Sequence, residues 1–243
     1  MTINLAMAVY NTEKYVAQAI QSVINQTFKD WTLTIYDDAS TDQSLKVINR
    51  FKDPRILVIK NDKNIGHVAV LAKAFSNRNS THVGWVDSDD WLHPQCLELC
   101  YNANSPFVYT CYAETDTAGN TLRIKNLEPY QKNTNLQRFI LHHFRLISTE
   151  LYSSINGIDS GYSHAEDYDL SLRLEELTTP VKVGNEPLYF YRQHTESFGA
   201  KKRVLQARYA ARAINAAIRR RGLESQVYLH EGPPFQIRFR SKA

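Results

Sequence analysis

The 243-residue sequence predicts an α/β protein built on a mainly parallel, Rossmann-like sheet flanked by helices. Three observations carry this expectation. From Ile3 to Trp85, short runs rich in Val, Ile and Trp alternate with stretches of helical spacing, the pattern of successive βα units. Two of the strand-like runs end in clustered acids, Asp37-Asp38 and Asp87-Ser88-Asp89-Asp90, and open α/β sheets place ligands beyond the carboxyl ends of their strands. Hydrophobic residues make up 43% and charged residues 22%, a balance that can bury one large core.

The elements follow in order. Ile3 to Tyr10 alternates as a strand and ends at Asn11-Thr12, both good helix caps. Tyr15, Val16, Ala19, Ile20, Val23 and Ile24 recur at helical spacing, giving a helix from Glu13 to Asn25. Thr32 to Tyr36 is the second strand, followed by a helix through Leu45, Val47, Ile48 and Phe51 and a third strand from Arg55 to Ile59. After the turn Asn61 to Gly66, a helix runs through Val70, Leu71, Ala74 and Phe75 into the acid-tipped strand that ends at Val86. Beyond Pro94 the pattern is mixed. Cys96 to Cys100 suits a short helix, Phe107 to Tyr112 a strand, and Asp116 to Asn120 a hairpin turn. Helices are expected over Leu136 to His143 and Asp167 to Leu177, with short strands at Val181 to Val183 and Leu188 to Tyr191. This second half is expected to build a pocket beside the first half's sheet. From Ala200 to Arg221, Val204, Leu205, Tyr209, Ala213, Ile214, Ala217 and Ile218 form an apolar stripe among Lys201, Lys202, Arg203, Arg208, Arg212, Arg219, Arg220 and Arg221. That is an amphipathic basic helix ending at Gly222, with two further strands expected around Gly232-Pro233-Pro234.

Bulk properties exclude several classes. A net charge of +4 does not argue for nucleic acid. Cys96, Cys100 and Cys111 are odd in number and lack metal-type spacing, which fits buried thiols in a reducing compartment. The amino terminus has no basic, apolar leader pattern and no run approaches a membrane span, so the expectation is a soluble, cytoplasmic chain.

Asp87, Asp89 and Asp90 repel one another without a cation, and one helix start does not need three acids. With a hard divalent ion they become ligands for Mg²⁺ or Mn²⁺, whose other positions accept phosphate oxygens. The cluster therefore predicts a nucleotide diphosphate held through a metal. Asp37-Asp38 has a competing explanation as a cap for the helix after Ser44. Glu166-Asp167-Tyr168-Asp169 either complements the dipole of the following helix or supplies a general base. Spacing leaves both open. A lone His194, like His142-His143, is more often structural than a ligand, and Trp85 and Trp91 read as core or pocket wall.

The ordered series Ala8 to Glu13, Ser22 to Thr27, Asp37 to Asp42, Asn64-Ile65-Gly66, Asp87 to Asp90, Glu166 to Leu170 and Tyr191-Arg192-Gln193-His194 resembles family 2 glycosyltransferases of the GT-A fold. The resemblance runs from Ile3 to Ser197 and rests on the series rather than on any single motif. It implies a GT-A domain over residues 1–199, with a nucleotide-binding half at 1–105 and an acceptor-binding half at 106–199, followed by the basic helix and tail at 200–243.

Roles follow from the resemblance position by position. Ala8 and Tyr10 hold the nucleotide base, Asp38 hydrogen-bonds uracil, and Glu13 lies near base or ribose. Asp87 and Asp89 are the two ends of a DxD motif that binds ribose and metal, with Ser88 between them. Asp90 shares the metal and His194 completes its site. Asp167, the second acid of the Glu166-Asp167 pair, is the base. The implied reaction is an inverting displacement: Asp167 deprotonates an acceptor hydroxyl that attacks the anomeric carbon of a nucleotide diphosphate sugar, UDP-linked by expectation, with Mn²⁺ or Mg²⁺ acting on the leaving group. The acceptor class is a glycan or a lipid-linked saccharide, with no nucleic acid partner, and an oligomer is compatible.

The sequence departs from the family in two places. Leu71 to Ala74 lacks an expected Asn, and Ala39 stands where a Gly is commoner. The Gln-x-x-Arg-Trp motif of membrane-embedded processive synthases is absent, which favours single addition. Two rivals are a nucleotide-sugar-binding module without catalysis and a receiver-like phosphotransfer protein. The first has no use for a base, and the second lacks a late strand-end Lys. The basic helix is expected to pack on the catalytic domain with a solvated basic face; its functional alternative is peripheral contact with anionic lipid at the inner face of a membrane.

Overall fold

The computed structural model describes residues 3–75, 79–195, 198–230 and 236–239, and of 198–203, 228–230 and 236–239 the backbone alone. The first half follows the predicted βα order: β1 (Ile3–Val9), α1 (Val16–Ile24), β2 (Trp31–Asp37), α2 (Ser44–Ile48), β3 (Ile56–Lys60), α3 (His67–Ala74) and β4 (His82–Trp85). Alternation along β1 sends Leu5, Met7 and Val9 to one face, where they pack with Ile20 and Val23 of α1. Ala6 faces the other way, toward Val70, Leu71 and Phe75 of the α3 segment. Covered on both faces, β1 is the central strand, as its near-continuous burial requires.

The strands run parallel in the order β3-β2-β1-β4. The chain winds outward from β1 to β3 and then crosses back to place β4 on the other side of β1. That reversal opens a crevice beyond the carboxyl ends of β1 and β4. The two acid-tipped strands, β2 and β4, are therefore not neighbours; β1 separates them.

Mixed pairings extend the sheet. β5 (Trp91–Leu92), β6 (Phe107–Thr115), β7 (Thr121–Lys125), β8 (Arg145–Ser148) and β9 (Val181–Arg192) continue it as β4-β8-β6-β9-β5, with β7 paired to β6. The helices here are α4 (Cys96–Asn102), α5 (Thr134–Gln137), α6 (Thr149–Ser154), α7 (Glu166–Leu174) and α8 (Phe198–Arg220). β10 (Val227–His230) pairs antiparallel with β11 (Gln236–Phe239), while the Gly232-Pro233-Pro234 turn lies outside the described residues. The expected Asp116 to Asn120 turn joins β6 to β7. Cys96, Cys100 and Cys111 are free and buried.

Three expectations change. The helix expected over Leu136 to His143 ends at Gln137, because tertiary contacts claim the backbone that a helix would use. Asn135 Oδ1 accepts from the Ile140 amide at 2.9 Å, and Thr110 receives the Phe144 amide on Oγ1 at 2.9 Å. Buried Ile140 and Leu141 anchor the irregular run instead. The two short strands at Val181 to Tyr191 form one strand, β9, whose register against β6 shifts near Cys111 while Gly184 takes φ +69°. β5, β8 and α6, all short, carried too few periodic residues to be expected. β8 meets β4 closely: a Cβ on Gly84 would lie 2.9 Å from the Arg145 carbonyl oxygen and 3.0 Å from the Phe144 ring.

α8 packs on α7 through Ala213, Ile214, Ala217 and Ile218 against Tyr168 and Leu172. Val204 and Leu205 stay exposed, so the apolar stripe is buried only along its carboxyl-terminal part. Arg220 and Arg221 bond Glu176, Arg221 also bonds Glu175, and Arg212 lies over the Tyr162 ring. The side chains of Lys201, Lys202 and Arg203 lie outside the described residues. Among the described residues, no helix is long and apolar enough to cross a membrane.

Candidate active site

The loop after β4 carries Asp87, Ser88, Asp89 and Asp90 to the mouth of the crevice. Asp90 is buried, with Oδ1 accepting from the Arg192 amide at 2.7 Å and Oδ2 from the Tyr189 hydroxyl at 2.7 Å. Burial, with repulsion from Asp89 and Asp87, pushes its carboxyl well above the usual range. Asp87 is also raised, by burial first, then by Asp89 and Asp167 against the opposing charges of His67 and Arg145. Ser88 is buried and accepts from the Thr12 hydroxyl at 3.1 Å, tying this loop to the one after β1.

Asp89 turns to His194, with Oδ2 and Nε2 2.8 Å apart. A second convergence lies beside it: one ligand atom each from Asp87, Asp90 and His143 fall within 4.8 Å of one another. The expected set of Asp87, Asp89, Asp90 and His194 is thus drawn as two adjoining groups, and His143 enters although its sequence context gave no reason to prefer it over His142. Burial, reinforced by Arg145 and His142, lowers the His143 pKa to about 3, so the ring is neutral and offers a lone pair. Hard carboxylate oxygens with an imidazole suit Mn²⁺ or Mg²⁺, and the raised acids mark a place where a cation relieves repulsion. The residues fit a divalent ion.

The strand-end acids of β2 divide the work differently from a shared cap. Asp42 Oδ1 accepts from the Ser44 amide at 2.9 Å ahead of α2, and Glu13 Oε2 accepts from the Gln43 amide at 2.7 Å. Capping therefore falls to Asp42 and Glu13. Asp38 instead takes Asn61 Nδ2 at 2.8 Å and the Ile65 and Gly66 amides at 2.9 and 2.8 Å. The Asn64-Ile65-Gly66 turn thus aims its amides at Asp38, with Gly66 at φ +87°, a conformation favoured by glycine. Asp37 is fully buried with both carboxylate oxygens lacking a partner. Ala8 is half-buried opposite Tyr36, and Tyr10, 49% exposed, stands at the open end of β1.

Glu166 and Asp167 open α7. Asp167 Oδ2 accepts from Arg145 Nη2 at 3.2 Å. Burial works against its ionisation, but the Arg145 guanidinium, by its charge and its hydrogen bond, overrides that and holds its pKa below the usual carboxylate value. Glu166 moves the other way: burial, with repulsion from Asp167 and Asp87, raises it to about 7, against the charge of His67, whose Nε2 is 3.7 Å away. Two adjacent acids thus sit in opposite protonation environments. Arg145 is itself buried, donates to the Leu141 carbonyl, and lies 4.8 Å over the Trp85 ring. Sequence reasoning missed Arg145 and Tyr189 and gave Arg192 no role, although it stands in the Tyr191-Arg192-Gln193-His194 motif; the one signal for Arg145 was a charge at the head of the short run Arg145-Leu146-Ile147-Ser148.

Comparison with known proteins converges with this geometry. Residues 5–153 match the profile described as glycosyl transferase family 2. The chain is 29% identical over 234 residues to a chondroitin synthase of Escherichia coli, covering 93% of this chain but 34% of that protein, so it spans about a third of that relative's length. Among solved structures it is similar to S. aureus TarS 1-349 in complex with UDP, with a TM-score of 0.68 at 16% identity, covering 90% of this chain and 72% of that one. It is also similar to the mannosyltransferase PcManGT from Pyrobaculum calidifontis in complex with GDP-Man and Mn²⁺, with a TM-score of 0.64 at 12% identity, covering 89% of this chain and 64% of that one. At these identities the structural likeness shows the fold, which is of the GT-A type.

Proposed function

The chain belongs to glycosyl transferase family 2, and from that premise we propose that it transfers a sugar from a nucleotide diphosphate sugar to an acceptor hydroxyl by a single inverting displacement. The observation that carries the reading is Asp167, held ionised by buried Arg145 and within electrostatic reach of Asp87 on the acidic loop. A carboxylate kept unprotonated at neutral pH beside a diphosphate-type site is placed to accept a hydroxyl proton.

In this reading Asp38 receives the N–H of a uracil, its orientation fixed by the Asn61 side chain and the Ile65 and Gly66 amides. Tyr10 covers the base from the open end of β1, and Ala8 offers backbone beside it. Glu13, which also ties the loop after β1 to the start of α2, lies near the base or ribose. Asp89 with His194, and Asp87 with Asp90 and His143, would hold a divalent cation, Mn²⁺ or Mg²⁺, and Asp87 and Ser88 would face the ribose. When bound, that ion supplies positive charge for the diphosphate leaving group. Asp167 takes the proton of the attacking hydroxyl as it adds to the anomeric carbon and the nucleoside diphosphate departs from the opposite face. Glu166, raised to about 7, is the reserve acid of the pair.

UDP as the donor nucleotide is supported by the UDP complex of the TarS neighbour, and Mn²⁺ by the PcManGT complex. The chondroitin synthase relative bears a polymer-making name, but only a third of it corresponds to this chain, so the step assigned here is one transfer to a glycan or lipid-linked acceptor. α8 acts in this reading as a brace for the helix that carries Asp167, supported by Glu175, Glu176 and Tyr162 engaging its arginines.

The test is thermal stability and calorimetry with UDP, GDP, CDP and dTDP, each with Mn²⁺ or EDTA. A ligand at about a hundred times its dissociation constant adds roughly 2.7 kcal/mol. Stabilisation by UDP that requires Mn²⁺, with turnover lost but UDP affinity kept in Asp167→Asn, is the expected result. No metal-dependent response to any nucleotide overturns the donor site, and unchanged turnover in Asp167→Asn overturns the base.

A further inference from the structure

One buried cation beside the acidic loop takes no part in the chemistry above. Arg192, 2% exposed, ends β9 two residues before His194. Its backbone amide donates to Asp90 Oδ1 at 2.7 Å. Its guanidinium donates to the Asp89 carbonyl from Nε at 2.9 Å, to the Thr117 and Asp116 carbonyls from Nη1 at 2.7 and 3.5 Å, and to Gln18 Oε1 from Nη2 at 2.6 Å. The central carbon of the guanidinium lies over two rings, 4.6 Å from the Trp91 centroid and 4.8 Å from that of Tyr15. Both rings have further aromatic neighbours: Phe190 stacks on Trp91 at 5.1 Å, and His194 meets Tyr15 at 5.0 Å, tilted by 44°.

We infer that Arg192 is a positioning residue for the donor-side carboxylates. Three elements meet on it: α1 through Gln18 and Tyr15, the β6–β7 hairpin turn through Thr117, and the acidic loop through Asp89 and Asp90. Each guanidinium hydrogen bond above ends on a neutral oxygen. The cation therefore brings positive charge beside Asp89 and Asp90 without its guanidinium occupying the Asp89 carboxylate, whose Oδ2 remains turned to His194. A planar fork satisfies these diverging acceptors while lying over two aromatic rings, and a Lys ammonium cannot match that fork. This inference rests on the donor-site reading above and adds to it the residue that sets the spacing of its ligands.

The experiment compares wild type, Arg192→Lys and Gln18→Ala for UDP affinity by calorimetry, with Mn²⁺ and with EDTA, alongside circular dichroism melts. Gln18 is an exposed position on α1, so its truncation keeps the fold and carries the test if Arg192→Lys does not fold. The expected result is a loss of about tenfold or more in Mn²⁺-dependent affinity for Arg192→Lys, a smaller loss in the same direction for Gln18→Ala, and EDTA affinities matching wild type. Metal-dependent affinity that survives in both variants, or falls equally with and without metal, overturns the positioning role while leaving the donor site standing. Wild-type affinity indifferent to Mn²⁺ overturns the donor-site reading and this inference with it.

Discussion

Arg145 and Asp167 meet across two elements with no sequence proximity: the first residue of β8 donates to the first turn of α7 at 3.2 Å. The arginine side chain is 2% exposed and the carboxylate 30%, so the cation is fixed inside the molecule and the anion is partly accessible. The pair sets the protonation state of the proposed base. Replacing Arg145 with Met removes the charge that outweighs burial at Asp167, so the Asp167 pKa rises. The acid limb of the pH–rate profile is expected to move to higher pH. The same pairing contributes to folding stability above the unfolded Asp pKa, and that contribution is lost as pH falls through the depressed folded value. An acid limb that stays in place in Arg145→Met refutes the assignment.

Asp167→Asn and Glu166→Gln separate the two acids of α7. Loss of a general base costs typically 10²–10⁴-fold in turnover, and Asp167→Asn is expected to fall in that range with UDP affinity intact. Glu166→Gln is expected to keep most turnover and to change the pH dependence of stability. Glu166 has a folded pKa of about 7 against 4.5 for the unfolded carboxyl. Between those values the folded state holds the proton more tightly, so stability declines as pH rises from 4.5 through about 7. Melting temperatures across that window should decline less in Glu166→Gln than in wild type; parallel curves would remove Glu166 from the account.

Gly84→Ala tests the close approach of β4 and β8. The added methyl would lie 2.9 Å from the Arg145 carbonyl oxygen, an atom of backbone that cannot rotate away. Overpacking of this kind costs about 1–3 kcal/mol. A urea midpoint lowered by that amount is expected, together with reduced turnover because Arg145 is displaced with β8. Wild-type stability would mean that the sheet yields at this point.

What the sequence disclosed and what it hid follow from range. β1 to β4 and their helices were legible because each is a local periodic pattern, and the Asp37-Asp38 and Asp87 to Asp90 clusters marked strand ends by themselves. The Asn64-Ile65-Gly66 turn was visible as a motif, but its purpose appears only when its amides reach Asp38. Arg145 and Tyr189 were illegible, and Arg192 was visible only as a member of the Tyr191-to-His194 motif without a role, since each matters through partners tens of residues or more away: 22 for the Arg145 bond to Asp167 and 103 for the Arg192 bond to the Asp89 carbonyl. Leu136 to His143 failed as a helix for the same reason, because its backbone bonds to Asn135 and Thr110 override local propensity.

The last prediction concerns the attachment of α8. Arg221 Nη2 lies 2.7 Å from Glu175 Oε1, with side-chain exposures of 11% and 0%. Asn135 Nδ2 also donates to Glu175 at 2.8 Å and Tyr130 hydrogen-bonds it, but the opposing charge on this buried carboxylate comes from Arg221. Burial already raises the Glu175 pKa against the opposing pull of Arg221. Removing one partner of a buried ion pair typically costs about 3–5 kcal/mol, whereas replacing both with neutral groups is often far milder. Arg221→Met is therefore expected to destabilise strongly and Arg221→Met with Glu175→Gln to recover much of the loss, giving a coupling energy in a double-mutant cycle. Because Glu175 follows α7, whose first turn carries Asp167, the single variant should also lower turnover. Additive effects of the two substitutions would show that the pair does not hold the helices together.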